Sequence, residues 1–201
     1  MAKKIIGIVG SYRKNGMIDR LVTETLASAE ALGAVTKKIY LTDVHIEFCN
    51  NCRYCTQKPG PEPGKCVHAD DFNVILSEWQ ESDGLVIGSP VNFYNVTAVT
   101  RRFMERLVCF SYWPWGQHSP KMRSGNKDKK AVLITSSAMP SFMGRIFTGA
   151  PRALRLIATT MGAKPVKTIF AGLAAQEENP VPSEKAIRQA RVAGRQLAGG
   201  Q

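Results

Sequence analysis

The chain has 201 residues, 44% hydrophobic and 21% charged, with a formal net charge of +11. That length fits one domain with a sizeable core, and the apolar fraction excludes a disordered chain. No run of eighteen apolar residues exists, which excludes a transmembrane helix, and the run Ile5 to Val9 behind Met1 is too short for a secretion signal, so the expected location is cytoplasmic.

Taken in order, Lys4 to Val9 is a short continuous apolar run, as in a parallel strand buried on both faces. A polar loop, Gly10 to Gly16, leads into helical periodicity from Ile18 to Leu32, and Gly33 stands where a helix C′ residue belongs. Val35 to Leu41 reads as the second strand. A cysteine-rich loop over 41–69 follows, whose second half is kept irregular by Pro59, Pro61 and Pro63. Asp70 is placed to cap a helix running through Trp79. Gly84 to Ser89 is a third buried strand and Thr97 to Phe110 a third helix. Ala131 to Thr135 and Val166 to Phe170 supply the last two strands, Pro151 to Met161 the fourth helix, and Ser183 caps a final helix toward Leu197. Five strands alternating with five helices predict a doubly wound α/β sandwich in one domain over 1–201.

In such a sheet, ligands bind at the carboxyl ends of the strands. The first such loop offers Ser11, Arg13, Gly16 and the N–H groups of a helix start at Met17 and Ile18, which together form a phosphate cradle; an ordinary turn with a stray arginine is the alternative. The loop after the third strand, Pro90, Val91, Asn92, Phe93, Tyr94 and Asn95, suits a planar heteroaromatic ring, unless its aromatics merely cap the core. Ser136 and Ser137 leave the fourth strand at the same edge.

Cys49, Cys52 and Cys55 are spaced two residues apart, and Cys66 follows. This is ligand spacing: it suits a [4Fe–4S] cluster first and four-thiolate zinc second, against the alternative of clustered free thiols. Cys109, beside Leu107, Val108 and Phe110, reads as a small buried hydrophobe. The basic residues gather between Lys121 and Lys130 and at Lys185, Arg188, Arg191 and Arg195, as on solvated faces. No nucleic-acid motif accompanies them, and no nucleic-acid or membrane partner is expected.

Three stretches together resemble the NADPH-dependent FMN reductase-like proteins. They are Ser11-x-Arg13-x-x-Gly16, the four cysteines with Asp70-Asp71, and Gly88-Ser-Pro-Val to Val96-Thr-Ala with Phe103-x-x-Arg106. The cysteines resemble those of its iron–sulfur flavoprotein branch. The resemblance implies a flavodoxin-like three-layer fold with five parallel strands in the order 2-1-3-4-5. It implies FMN phosphate at Ser11, Arg13 and Gly16, with flavin contacts from Pro90 to Asn95, and dimers or dimer pairs. The chain departs from the pattern in four places. Met17 and Ile18 stand where Asn and Thr or Ser are usual, Asn92 where an aromatic is usual, and Tyr94 where a glycine is usual, while the Cys55–Cys66 gap is long.

The expectation is an FMN-containing oxidoreductase that takes hydride from NAD(P)H and passes electrons to a small molecule or a ferredoxin-like carrier. Flavin does the chemistry, so no catalytic side chain is named. The rival readings are a reductase whose cysteines bind nothing, a non-enzymatic flavodoxin-like carrier or regulatory module, and a zinc protein with nucleic-acid affinity.

Overall fold

The computed structural model describes residues 2–123 and 128–200. Lys127, counted above in the basic group, and Met1 lie outside them. Strand β1 (Lys4–Val9) leads to helix α1 (Met17–Glu30) and strand β2 (Val35–Tyr40). Helix α2 (Asp71–Gln80), strand β3 (Gly84–Pro90) and helix α3 (Ala98–Arg106) follow, and α3 tightens into a single 3₁₀ turn at Leu107–Phe110. The predicted helix to Phe110 is therefore α-helical only as far as Arg106. Two short strands, β4 (Ser111–Tyr112) and β5 (Lys121–Met122), pair antiparallel outside the main sheet. Then come β6 (Lys129–Ser136), α4 (Ser141–Phe147), α5 (Ala150–Thr160), β7 (Ala163–Ala171) and α6 (Glu184–Ala198). The pair β4–β5 and helix α4 are additions to the predicted set.

The five long strands are all parallel, in the order β2-β1-β3-β6-β7. With the two short strands set aside, this is the implied order 2-1-3-4-5. Alternating residues feed two cores, as the period of a strand requires. Ile6, Ile8, Leu85, Ile87 and Leu133 pack under α2, α3 and α5. Ile5, Val9, Val86, Val132, Ile134 and Ile169 pack under α1 and α6. Such double-sided burial is why the central strands β1, β3 and β6 read as apolar runs.

The caps agree with the sequence. Asp70 accepts from Phe72 N at the start of α2, and Ser183 accepts from Ala186 N at the start of α6. α1 differs: Gly16 is its N-cap, and no side chain caps it. Among the described residues no helix is long and apolar enough to cross a membrane.

Candidate functional site

The carboxyl ends of β1, β3 and β6 open onto a cavity of about 860 Å³. Its shape begins with how two loops are fastened together. Gly10 N donates to Gly88 O (2.7 Å), and Thr97 Oγ1 donates to Gly10 O (2.7 Å). Thr97 also caps α3 by accepting from Thr100 N, and its own N–H donates to Ser89 Oγ (3.1 Å). The approach leaves no room at Gly10, where a Cβ would stand 1.9 Å from Thr100 Oγ1. A buried set of hydroxyls thus clamps the first loop against the third.

The first loop is shaped from within. Arg13 N donates to Ser11 Oγ (3.2 Å), and Arg20 Nε donates to Asn15 O (2.7 Å). Asn15 has φ +60° and donates its N–H to Asp19 Oδ2 (2.6 Å). Asp19 is buried and also accepts from Lys38 Nζ and Tyr40 OH, each at 2.9 Å. Burial opposes its charge, but the hydrogen bonds from Lys38, Asn15 and Tyr40 outweigh that and hold its carboxyl below the usual range. The loop therefore presents the uncapped first turn of α1 to the cavity, with unpaired N–H groups and the positive end of the helix dipole.

Of the predicted residues, Ser11, Arg13, Gly16, Met17, Ile18, Pro90, Val91, Asn92, Ser136 and Ser137 come together around this cavity. Arg13 does more than face it. Its Nη1 donates to Glu178 O (3.0 Å), which ties the segment after β7 across the opening. That segment, Ala174 to Pro180, supplies much of the wall and carried no motif.

Phe93, Tyr94 and Asn95 lie outside the cavity wall. Asn92 and Asn95 exchange backbone hydrogen bonds (2.7 and 3.2 Å) around a two-residue tip with Phe93 at φ +46° and Tyr94 at φ +65°. Both rings project into solvent, Phe93 with 96% of its surface exposed, so they cap no core either. The left-handed backbone at Tyr94 gives the physical reason why a glycine is usual there.

The cysteine loop is a second centre, built by three arginines. Arg106, 2% exposed, grips Asp70 through both Nη atoms (2.6 and 3.2 Å). It also donates to Glu47 O (2.8 Å) and to Cys66 Sγ (3.4 Å). Asp70 in turn accepts from Glu47 N (2.8 Å), so both flanks of the loop meet at one ion pair. Burial resists ionisation of Asp70, yet the bond from Arg106 and the N–H groups of Glu47 and Phe72 hold its carboxyl below the usual range.

Arg123 is the second rivet. It donates to Cys109 O and Ser111 O through Nε, to Gly60 O through Nη1 and to Cys55 O through Nη2. Gly64 N donates to Cys109 O (2.8 Å), which folds the proline-bearing stretch back over Cys55. Arg53, the third, stacks between the rings of Trp113 and Trp115 at 3.9 and 4.3 Å. None of these three tasks was legible from spacing.

Cys49, Cys52, Cys55 and Cys66 consequently share one neighbourhood, with no disulfide among them. The Cys55 thiol is pushed up to about 11, first by burial and then by the charges of Cys66, Cys49 and Cys52. Among the described residues, however, no three His, Cys, Asp or Glu side chains stand as ligands around a single metal ion.

Cys109 is 1% exposed, and burial pushes its thiol up to about 12, with Cys55 and Cys66 adding to the shift. Its position beside the other thiols was not foreseen. A buried, protonated thiol is inert. Mass-spectrometric labelling of the native protein is expected to leave Cys109 unmodified while Cys52, which is exposed, reacts; stoichiometric modification of Cys109 before unfolding would contradict this.

The family model described as NADPH-dependent FMN reductase matches residues 3–177. A curated "iron-sulfur flavoprotein" of Archaeoglobus fulgidus is 32% identical over 111 residues, 55% of this chain and 48% of that protein. The chain spans about half the length of the curated relatives it matches. A flavodoxin from the domain Archaea superposes with a TM-score of 0.57 at 14% identity, covering 98% of this chain and 96% of that one. The NAD(P)H:quinone oxidoreductase of Methanothermobacter marburgensis does so with a TM-score of 0.68 at 16% identity, covering 98% and 100%. At such identities the likeness establishes the flavodoxin-like fold.

Proposed function

This chain belongs to the NADPH-dependent FMN reductase family, and we propose that it is an oxidoreductase that holds FMN in the cavity between its first, third and fourth parallel-strand loops. The observation that carries the reading is the uncapped start of α1 facing that cavity, a ready-made seat for a phosphate. The first-turn N–H groups at Met17 and Ile18 would donate to the phosphate, without the side-chain donors usual at those two positions. Ser11 shapes the loop, while Arg13 and Arg20 add positive charge in the wall. Pro90, Val91, Asn92, Ser136 and Ser137 are left to flank the flavin ring.

FMN supplies hydride acceptance and one- or two-electron release when bound. The chain's own contribution is to bind, orient and shield, and no side-chain acid or base is assigned. NAD(P)H is the proposed electron donor, and a small molecule or a ferredoxin-like carrier the proposed acceptor. The proposal extends to a homodimer or homotetramer in the cytoplasm.

Apo-protein titrated with FMN should quench flavin fluorescence saturably. Arg13→Ala should weaken binding by about 1.5–3 kcal/mol, the range for hydrogen bonds to charged groups. An absence of saturable quenching would sink the proposal.

We further propose that Cys49, Cys52, Cys55 and Cys66 hold a [4Fe–4S] cluster. Support comes from the relatives' printed names and from the shared neighbourhood of the four sulfurs. Among the described residues the thiols are not gathered around a single ion, and four-thiolate zinc is the second reading. A four-iron cluster takes each cysteine on a different iron and does not need that convergence. Anaerobic reconstitution should yield about four iron and four sulfide per chain, and Cys52→Ala should abolish this while FMN stays bound. Stoichiometric zinc without acid-labile sulfide would refute the cluster.

A further inference from the structure

Asp19 is the third residue of α1 after its N-cap Gly16, and its side chain is 2% exposed. In a capping box, the residue at that place reaches back to the backbone N–H of the N-cap. Asp19 instead takes the N–H of the residue before the N-cap, Asn15, on Oδ2 at 2.6 Å. Arg20 Nε donates to the carbonyl of the same residue (2.7 Å), so Asn15 is held at φ +60° through both its N–H and its C=O. The other carboxylate oxygen, Oδ1, accepts from Lys38 Nζ and Tyr40 OH of β2. Lys38 Nζ also donates to Thr23 Oγ1 (2.8 Å) and stands 4.9 Å from the centre of the Tyr40 ring. The other cation beside that ring, Lys14, is paired with Asp43 at 2.7 Å. Asp19 and Lys38 both lie outside the cavity wall, so neither would touch a molecule bound there.

We propose that Asp19 is a positioning residue for the phosphate of FMN and, with Lys38, sets a preference for FMN over riboflavin, the same flavin without the phosphate. The inference rests on the flavin reading above and deepens it to two residues that no motif marks. Asp19 braces the loop Ser11–Gly16 through Asn15, yet neither it nor Gly16 occupies a first-turn N–H group of α1. Those donors stay free for an anion. A lone carboxylate in the same turn would repel a phosphate dianion, the more so where burial lowers the local dielectric. The Lys38 ammonium at 2.9 Å offsets that charge, so the seat keeps its attraction. Asp19 thus shapes the loop, and Lys38 offsets the repulsion that an ionised carboxylate brings with it.

Apo-protein titrated by fluorescence with FMN and with riboflavin gives two dissociation constants and their ratio. A loss of structure lowers both affinities together, whereas an effect on the phosphate moves the ratio. Asp19→Ala should cut the preference for FMN about tenfold or more, with riboflavin affinity unchanged. Asp19→Asn keeps an acceptor for Asn15 N and drops the charge, so it should retain at least the parent's preference. Lys38→Met leaves the carboxylate without its cation and should lower the preference; it carries the test if Asp19→Ala does not fold. The inference is overturned if Asp19→Ala keeps or raises the ratio, or if riboflavin affinity falls in step with that for FMN. It is equally overturned if Asp19→Asn loses as much as Asp19→Ala, or if Lys38→Met leaves the ratio as it is in the parent. A parent that binds neither flavin overturns the flavin reading and this inference with it, a result told apart from the others before any variant is made.

Discussion

Arg106→Ala is expected to destabilise the protein by about 3–5 kcal/mol at neutral pH, the range for removing one partner of a buried ion pair. Arg106 and Asp70 have side chains only 1% and 2% exposed. Without the guanidinium, Asp70 keeps its backbone donors from Glu47 and Phe72 but loses the charge that offsets its burial. The pH dependence supplies the sign. In the parent, the folded-state carboxyl of Asp70 titrates below its usual value, so its contribution is fully present above the unfolded value. It is lost as pH falls through the folded one. In the variant, protonation instead relieves an unpaired buried charge. The penalty should therefore shrink as pH drops through the carboxylate range. Urea unfolding at pH 7 and pH 3 measures this, and a penalty unchanged between them would show that the ion pair is not its source. Arg106→Lys keeps the charge but not the fork that reaches Asp70, Glu47 O and Cys66 Sγ together, so it should fall between parent and alanine.

Gly64→Ala carries the second large effect. A Cβ there would stand 1.7 Å from the carbonyl oxygen of Cys55, a backbone atom that cannot swing aside. That same oxygen accepts from Arg123 Nη2, and Gly64 N donates to Cys109 O, so the clash forces apart three converging segments. The expected cost is about 1–3 kcal/mol, the usual penalty for overpacking. Its local signature is faster alkylation of Cys55, which is buried in the parent. If unfolding and thiol reactivity both stay unchanged, the close approach does not constrain the loop.

The framework was readable because its signals are local. Strands β1, β3 and β6 are buried on both faces along most of their length and so read as apolar runs, and Asp70 and Ser183 cap α2 and α6 as placed. Strand ends, in turn, located the cavity. Helix α4 escaped because Phe142, Ile146 and Phe147 face solvent, leaving no buried stripe to betray a helical period. β7 began earlier than expected, since Lys164, Pro165 and Lys167 break its apolar run. What stayed invisible in the site is tertiary. Asp19 gains its role only when β2 delivers Lys38 and Tyr40, and Arg123 only when β5 returns it to the cysteine loop. The phosphate loop was legible as composition, but its closure by Arg13 on Glu178 O depends on a contact across 165 residues.

Helix α3 has a property that neither loop shows alone. At its first end Thr97 is hydrogen-bonded to Gly10, and at its last residue Arg106 holds Asp70, Glu47 and Cys66. Nine residues of helix form a strut about 13 Å long, stiff along its axis. The strut is hydrogen-bonded at both ends, so moving either anchorage either carries the other with it or breaks the bonds at that end. The cavity floor and the thiol loop thus answer to one mechanical member, and a substitution that loosens one would be felt as altered geometry at the other.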